Sequence, residues 1–287
     1  MLLQSSTIQL LRLHFSFFLM PIYWFALSQT PHINAIHAIA IFTILHVLVY
    51  PASNGYNSYM DKDTESIGGV KHPQQPTKQL LYISIILDGL ALAASVFISL
   101  YFCIALLLYI VASRAYSYRG IRLKKYPIIG YLTVIFFQGT VVYFMVYHGS
   151  STYKIVAVPW QAMLAALLLI GGFYPLTQIY QHKQDAADGV HTLSILLGLR
   201  GTFIFTAIVY VLAMIILGYY FNGTDKMNNF YVLQAFFFPV FVYFLVWCSR
   251  VFKNQTSANF VYTMQMNVIA SVCSNAAFIT LFLIEKF

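Results

Sequence analysis

Five of the eight acidic residues in this chain fall in two short clusters: Asp61, Asp63 and Glu65 in one, Asp185 and Asp188 in the other. Each cluster ends a polar stripe. Asn54, Asn57, Asp61 and Glu65 are spaced 0, 3, 7 and 11, and Gln178, Gln181, Asp185 and Asp188 are spaced 0, 3, 7 and 10. On a continuing helix each set occupies one face. Both sets read amide, amide, carboxylate at the same offsets. Oxygen-only donors in this pattern suit Mg²⁺, a hard cation that commonly bridges protein carboxylates to the phosphates of a substrate. The plainer account is loop solubility, but carboxylates this scarce and this clustered point to a bound cation.

Between the stripes lies a basic loop with Arg114, Arg119, Arg122, Lys124 and Lys125 interleaved with Tyr116, Tyr118 and Tyr126. Guanidinium and ammonium groups beside such carboxylates would complement a diphosphate that the carboxylates reach through the metal. Topology alone also accounts for a basic loop of this kind.

The elements that must position these residues are membrane helices. Of the 287 residues, 60% are hydrophobic and 8% charged, with a mean hydropathy of +0.74. A soluble domain carries about 25% charged residues, so most of this surface must face lipid. Intrinsic disorder, a secreted disulfide scaffold and a soluble nucleic-acid binder are excluded, and no nucleic-acid partner is expected. Cys103, Cys248 and Cys273 lie in apolar runs at no metal-ligand spacing and read as small buried hydrophobes.

A helix needs about 20 apolar residues to cross the hydrocarbon core. Nine spans are expected near residues 8–28, 33–53, 79–96, 98–114, 127–148, 156–178, 200–220, 229–249 and 262–284. The first, lacking a basic n-region and an A-x-A-like site, is read as a retained span. Leu80 to Ala112 is nearly continuous and is broken by a tight hairpin near Ile98–Ser99, because one helix of that length would overshoot the bilayer. Of the 16 Lys and Arg residues, only Lys154, Lys226 and Lys286 fall outside the N-terminal end and the even-numbered loops. The positive-inside tendency therefore puts the N-terminus and both acidic stripes on the cytoplasmic side. The four spans between the stripes suggest a pseudo-repeat of four-helix units around a central cavity. The expected fold is an all-α polytopic membrane protein, a single domain over 1–287.

Taken together, the two stripes and the loop resemble the UbiA superfamily of intramembrane prenyltransferases. Those proteins have nine transmembrane helices and an N-D-x-x-D-x-x-x-D-type motif after the second. A Y-S-x-x-x-L-x-x-K-type loop follows the fourth, and a D-x-x-x-D motif running into G-x-x-T-L and L-G follows the sixth. Tyr116 to Lys125 and Gly189 to Gly198 match closely. The resemblance covers essentially the whole chain, and it has departures. Gly55 follows Asn54 where the family has Asp, its next Asp falls at Ser58 or Asn57, its last at Lys62, and Gln181 stands four residues before Asp185 in place of Asp.

The resemblance implies transfer of an isoprenyl chain from a prenyl diphosphate to an aromatic or lipid-like acceptor within the membrane, with Mg²⁺ as cofactor. It assigns Asp61, Asp185, Asn54 and Lys124 to catalysis, and Asn54, Asn57, Asp61, Asp63, Glu65, Gln181, Asp185 and Asp188 to the metal. Arg119, Arg122, Lys124, Tyr116, Tyr118 and Arg12 would bind the diphosphate, Arg12 resembling a basic position of the family and otherwise a snorkelling anchor. The family's range makes a bacterial inner membrane the expected location. Two alternatives follow: a terpene cyclase of the same superfamily, or, from the amide substitutions, a catalytically degenerate prenyl-lipid-binding member. Asp88 in span three has no basic partner nearby in sequence and is expected to hold a buried hydrogen bond, for which a protonated carboxyl would serve.

Overall fold

The computed structural model describes residues 3–286, and the chain folds as a multi-pass membrane protein. Among the described residues are nine helices long and apolar enough to cross a bilayer. They are α1 (Ser5–Gln29), α2 (Ala35–Asp61), α3 (Lys78–Ser95), α4 (Leu100–Ser117), α5 (Pro127–Ser150), α6 (Trp160–Ala187), α7 (Leu193–Gly223), α8 (Met227–Lys253) and α9 (Phe260–Lys286). Every expected span is present. The hairpin between the third and fourth falls where the sequence puts it, with the Ser99 hydroxyl accepting from Phe102 N at 3.0 Å to cap α4. Asn34 and Thr192 cap α2 and α7 in the same way.

α2 and α6 run well past the expected ends at 53 and 178, carrying their polar stripes beyond the apolar part of each span. Both are irregular just where the stripes begin. Pro51 precedes Asn54 by three residues, and Pro175 precedes Gln178 by three. A proline inside a helix has no N–H for the carbonyl four residues back. α2 accommodates this with a π-helical segment over Ile44–Val49, and α6 with a 3-10 segment over Tyr174–Gln181. The carbonyl that Pro175 leaves free, Gly171 O, accepts from the Tyr131 hydroxyl of α5 at 3.2 Å. The next one, Gly172 O, accepts from Thr206 Oγ1 of α7 at 2.8 Å. In lipid such carbonyls must find protein donors, so the irregularity also stitches α6 to its neighbours.

α6 packs extensively on α7, α8 on α9, and α2 on α3; α9 packs on α1, which closes the ring. At mid-depth Phe25 of α1 stacks on Phe278 of α9 at 4.7 Å and meets Tyr143 of α5 at 5.0 Å. At the end away from the stripes, Lys286 donates to Thr30 O at 2.6 Å and Glu285 accepts from Lys226 and Asn229.

One pairing corrects the sequence reading. Asp88 of α3 has a basic partner, and it is Arg114 of α4, one helix away. The Arg114 guanidinium also donates to Ser84 O at 3.3 Å and Ala52 O at 3.4 Å, and lies 4.1 Å over the Tyr56 ring. A single side chain thus ties α2, α3 and α4 at membrane depth. Removing one partner of such a pair strands the other charge. Asp88→Ala is expected to lower stability in detergent by about 3 kcal/mol or more, with Asp88→Ala/Arg114→Met recovering at least half of the loss. A single-variant loss below about 1 kcal/mol would show that Arg114 does not depend on this carboxylate.

Candidate active site

Two stripes, a broken first helix and a loop meet at one end of the ring and enclose a cavity of about 220 Å³. α2 brings Asn54, Asn57 and Asp61, and the following loop brings Asp63. α6 brings Tyr174, Gln178, Tyr180, Gln181 and Asp185. α4 brings Tyr116, and the loop after it brings Lys124. α1 is broken at Arg12, whose left-handed backbone (φ +47°) separates two helical segments and turns its guanidinium inward. That guanidinium donates to Gly68 O at 3.3 Å and Asn54 O at 3.4 Å.

Asp61 has a side chain only 4% exposed. One oxygen takes Lys124 Nζ at 2.5 Å, and the other lies 3.7 Å from Arg122 Nη2 with no hydrogen-bond donor of its own. Asp63 and Asp185 line the cavity without an ion-pair partner among the described residues. Asp63 accepts from Gln184 Nε2 at 2.6 Å. Burial and then the neighbouring Asp61 charge push the Asp63 carboxyl up to about 6, although Lys124 and Arg12 pull the other way.

The amides divide their work. Asn57 donates to Ser117 Oγ at 2.9 Å, joining α2 to α4. Gln178 donates to the Tyr174 hydroxyl at 3.0 Å, which meets the Tyr116 hydroxyl in turn. Gln181 donates to Ser66 O at 3.4 Å. Buried polar atoms of Asn54 and Gln178 have no partner in the protein. Gly55, where the resembled motif carries Asp, faces α3 rather than the cavity. A Cβ there would meet Ser84 Oγ at 2.7 Å, so a carboxylate at that position would start out toward α3 and not toward the cavity.

Several residues expected at the site lie elsewhere. Glu65 cannot share the α2 face, because the helix stops at Asp61 and Lys62 turns left-handed (φ +54°). It is exposed and does not line the cavity. Asp188 follows the end of α6 and pairs with Arg122 and Arg119 outside the cavity lining. Burial alone would raise its carboxyl, but hydrogen bonds from Arg122 and both arginine charges hold it below the usual carboxylate range. Arg119 is exposed and donates to Met60 O at 2.7 Å and Asp61 O at 3.3 Å, so with Arg122 it clips the basic loop to the ends of α2 and α6. Tyr118 is 49% exposed and turns away from the cavity.

Sequence reasoning missed Tyr174, Tyr180, Tyr109, Gln138 and Asn267, all of which line the cavity. Tyr174 and Tyr180 sit in the stripe of α6 and were hidden among the chain's 22 tyrosines. A second cavity, of about 180 Å³, was also not visible in the sequence. It is lined by apolar residues from the next turns of the same helices, Phe18 and Ile22 of α1, Phe173 of α6 and Ala270 of α9, together with α7 and α8.

Among the described residues no group of three or more His, Cys, Asp or Glu side chains converges as a self-sufficient metal site. The donors present are carboxylate and amide oxygens around unpartnered buried polar atoms. That set fits Mg²⁺, which holds one or two carboxylates and completes its octahedron with water and ligand oxygens. Softer metals, which prefer imidazole or thiolate, fit poorly.

Comparison with known proteins agrees with this architecture. A family model described as the UbiA prenyltransferase family matches residues 18–269. A UbiA homologue from Archaeoglobus fulgidus bound to GPP and Mg²⁺ superposes with a TM-score of 0.70 at 18% identity, covering 97% of this chain and 100% of that one. The apo UbiA homologue from Aeropyrum pernix K1 gives 0.72 at 16% identity, covering 94% and 98%. A digeranylgeranylglyceryl phosphate synthase gives 0.62 at 18% identity, with 97% of each chain covered. No curated protein matches by sequence. At these identities the structural likeness shows the fold, and the family match extends over most of the chain. The chain belongs to the UbiA prenyltransferase family.

Proposed function

We propose that this protein transfers an isoprenyl group from a prenyl diphosphate to a hydrophobic acceptor within the membrane, in a Mg²⁺-dependent reaction. The observation that carries this reading is the order of the two cavities. α1, α6 and α9 first present a polar cavity bearing Asp61, Asp63, Asp185, Lys124 and Arg12, and then, on their next turns, an almost wholly apolar one. A molecule with an anionic head and a hydrocarbon tail matches that sequence of surfaces. GPP and Mg²⁺ on the Archaeoglobus fulgidus homologue support it.

Asp61, Asp63 and Asp185 offer carboxylate oxygens, and Asn54, Asn57 and Gln181 amide oxygens, toward a divalent ion. Bound Mg²⁺ would supply the positive charge that neutralises the departing diphosphate. Lys124, on its flexible stem, can turn from Asp61 to a phosphate oxygen, and Arg12 closes the opposite wall. Tyr116, Tyr174 and Tyr180 put aromatic faces around the allylic carbon, where they favour developing positive charge and keep water away. Arg119, Arg122 and Asp188 fix the loops that carry these groups and are given no contact with substrate. The distribution of Lys and Arg supports a cytoplasmic N-terminus and a cytoplasmic carboxylate end of the bundle.

The reading is tested by pyrophosphate release from the protein in lipid nanodiscs with geranyl and longer prenyl diphosphates, with and without Mg²⁺ and a lipid extract. Release is expected to need both. Asp61→Ala and Asp185→Ala should each reduce it by about 100-fold or more, and Glu65→Ala by less than about twofold. Extract-independent release with a cyclic product would replace this reading with a cyclase. No release at all would replace it with a binding protein.

Gln181 reaches the cavity as an uncharged donor. Gln181→Asp adds a formal charge beside Asp185 and should lower the Mg²⁺ concentration needed for half-maximal release. An unchanged or higher requirement would show that position 181 does not face the ion.

A further inference from the structure

One side of the polar cavity, its α4–α5 arm, carries none of the carboxylates and none of the residues that line the hydrocarbon pocket. It is lined by Tyr109, Ser113, Thr133, Val134, Phe137 and Gln138. These are hydroxyls, one amide and apolar surface. The only cations lining the whole cavity, among the described residues, are Arg12 and Lys124. Both belong to the acidic end, Lys124 on Asp61 and Arg12 on the Asn54 and Gly68 carbonyls. Arg114, on the same helix as Tyr109, does not line the cavity and is held by Asp88 and the carbonyls behind α4.

Gln138 is built into this arm by the backbone. It lies in the π-helical segment Phe136–Val141 of α5, whose widened turn carries Phe137 and Gln138 to the cavity side. The next residue, Gly139, lets α5 approach α6 so closely that a Cβ there would sit 2.6 Å from Leu167 Cα. Thr140 adds a hydrogen bond to Met163 O at 3.5 Å. The segment is therefore pinned against α6 on one side and presents its amide on the other. Gln138 and Tyr109 both line the cavity, and Tyr109 meets the Phe137 ring edge-on at 6.3 Å. A primary amide has two donor hydrogens and a carbonyl oxygen, so it can serve a ligand as donor and acceptor at once.

We propose that this arm binds the prenyl acceptor, and that the acceptor is an uncharged hydroxylated compound recognised by Gln138 and Tyr109. The assignment rests on the prenyltransferase reading above and narrows its substrate class. An anionic acceptor would put its charge among uncharged groups at membrane depth, with Lys124 and Arg12 already engaged at the acidic end by Asp61 and by the Asn54 and Gly68 carbonyls. Burying a carboxylate without a cation is heavily disfavoured. A neutral phenol or alcohol needs only the hydrogen bonds that Gln138 and Tyr109 offer, with Phe137 and Val134 against its apolar part.

The test is equilibrium binding to the protein in nanodiscs, in the presence of Mg²⁺ and inorganic pyrophosphate, of two probes that differ in charge: methyl 4-hydroxyphenylacetate and 4-hydroxyphenylacetate. Empty nanodiscs give the partitioning background. The ester is expected to bind at least about tenfold more tightly than the acid. Gln138→Leu should weaken the ester by about twofold to tenfold, the range of one neutral hydrogen bond. Gln138→Lys should reverse the preference, so that the acid binds more tightly than the ester, a gain that misfolding cannot produce. Equal or tighter binding of the acid by the unaltered protein, no saturable binding of either probe, or indifference to both substitutions would overturn the proposal. Because pyrophosphate cannot donate a prenyl group, this measurement reads the acceptor arm alone. Failure of pyrophosphate release in the earlier assay would overturn the transferase reading and leave the binding result standing as it falls.

Discussion

Asp61 joins the end of α2 to the basic loop after α4, through Lys124 at 2.5 Å and Arg122 at 3.7 Å. Arg122 passes the connection on to Asp188 beyond α6. The polar end of the bundle depends on this chain of alternating charge. Without it, two helix ends carrying carboxylates would repel one another across a poorly solvated space. With it, the basic loop is drawn down between them and becomes the floor on which Lys124 stands. The same contact leaves Asp63 and Asp185 facing the cavity without an ion-pair partner among the described residues.

Elsewhere the rule is that charge inside the bundle is paired or capped. Asp88 has Arg114, Glu285 has Lys226, and Lys286 has the Thr30 carbonyl. Among the described residues inside the bundle, the carboxylates without an ion-pair partner, Asp63 and Asp185, line the polar cavity. That contrast is itself functional information, since an ionisable group at membrane depth is costly unless it is neutralised or serves a ligand. It also explains why Arg119, Arg122 and Asp188, though rich in charge, belong to the scaffold.

Much of this was legible in the sequence. Nine apolar runs gave nine spanning helices among the described residues, because hydrocarbon thickness leaves little freedom in span length. The two stripes met at one cavity because equal offsets on equivalent helices give equivalent faces. What was not legible depended on backbone events or on partners far apart in the chain. Glu65 kept the helical period in sequence, but α2 ends four residues earlier at a left-handed Lys62. Asp88 and Arg114 are neighbours only because the hairpin at Ser99 folds α4 back on α3. Gln138 lies in an unremarkable apolar run, and only the π-helical turn reveals the side it faces. Gly55 looked like a lost ligand, whereas its Cβ position points at Ser84, Leu80 and Leu11 and away from the cavity.

Pro175 is three residues from Gln178, yet its effects reach α5 and α7 through the carbonyls that Tyr131 and Thr206 occupy. In a water-soluble helix a freed carbonyl would be solvated and the proline could come and go as a single change. In lipid the proline and the two hydroxyls are interdependent. Losing the proline would return Gly171 O to its own helix and orphan the Tyr131 hydroxyl, while losing the tyrosine would orphan the carbonyl. Such a group can drift only by passing through a destabilised intermediate, so descendants of this chain should inherit or lose the three positions as a block.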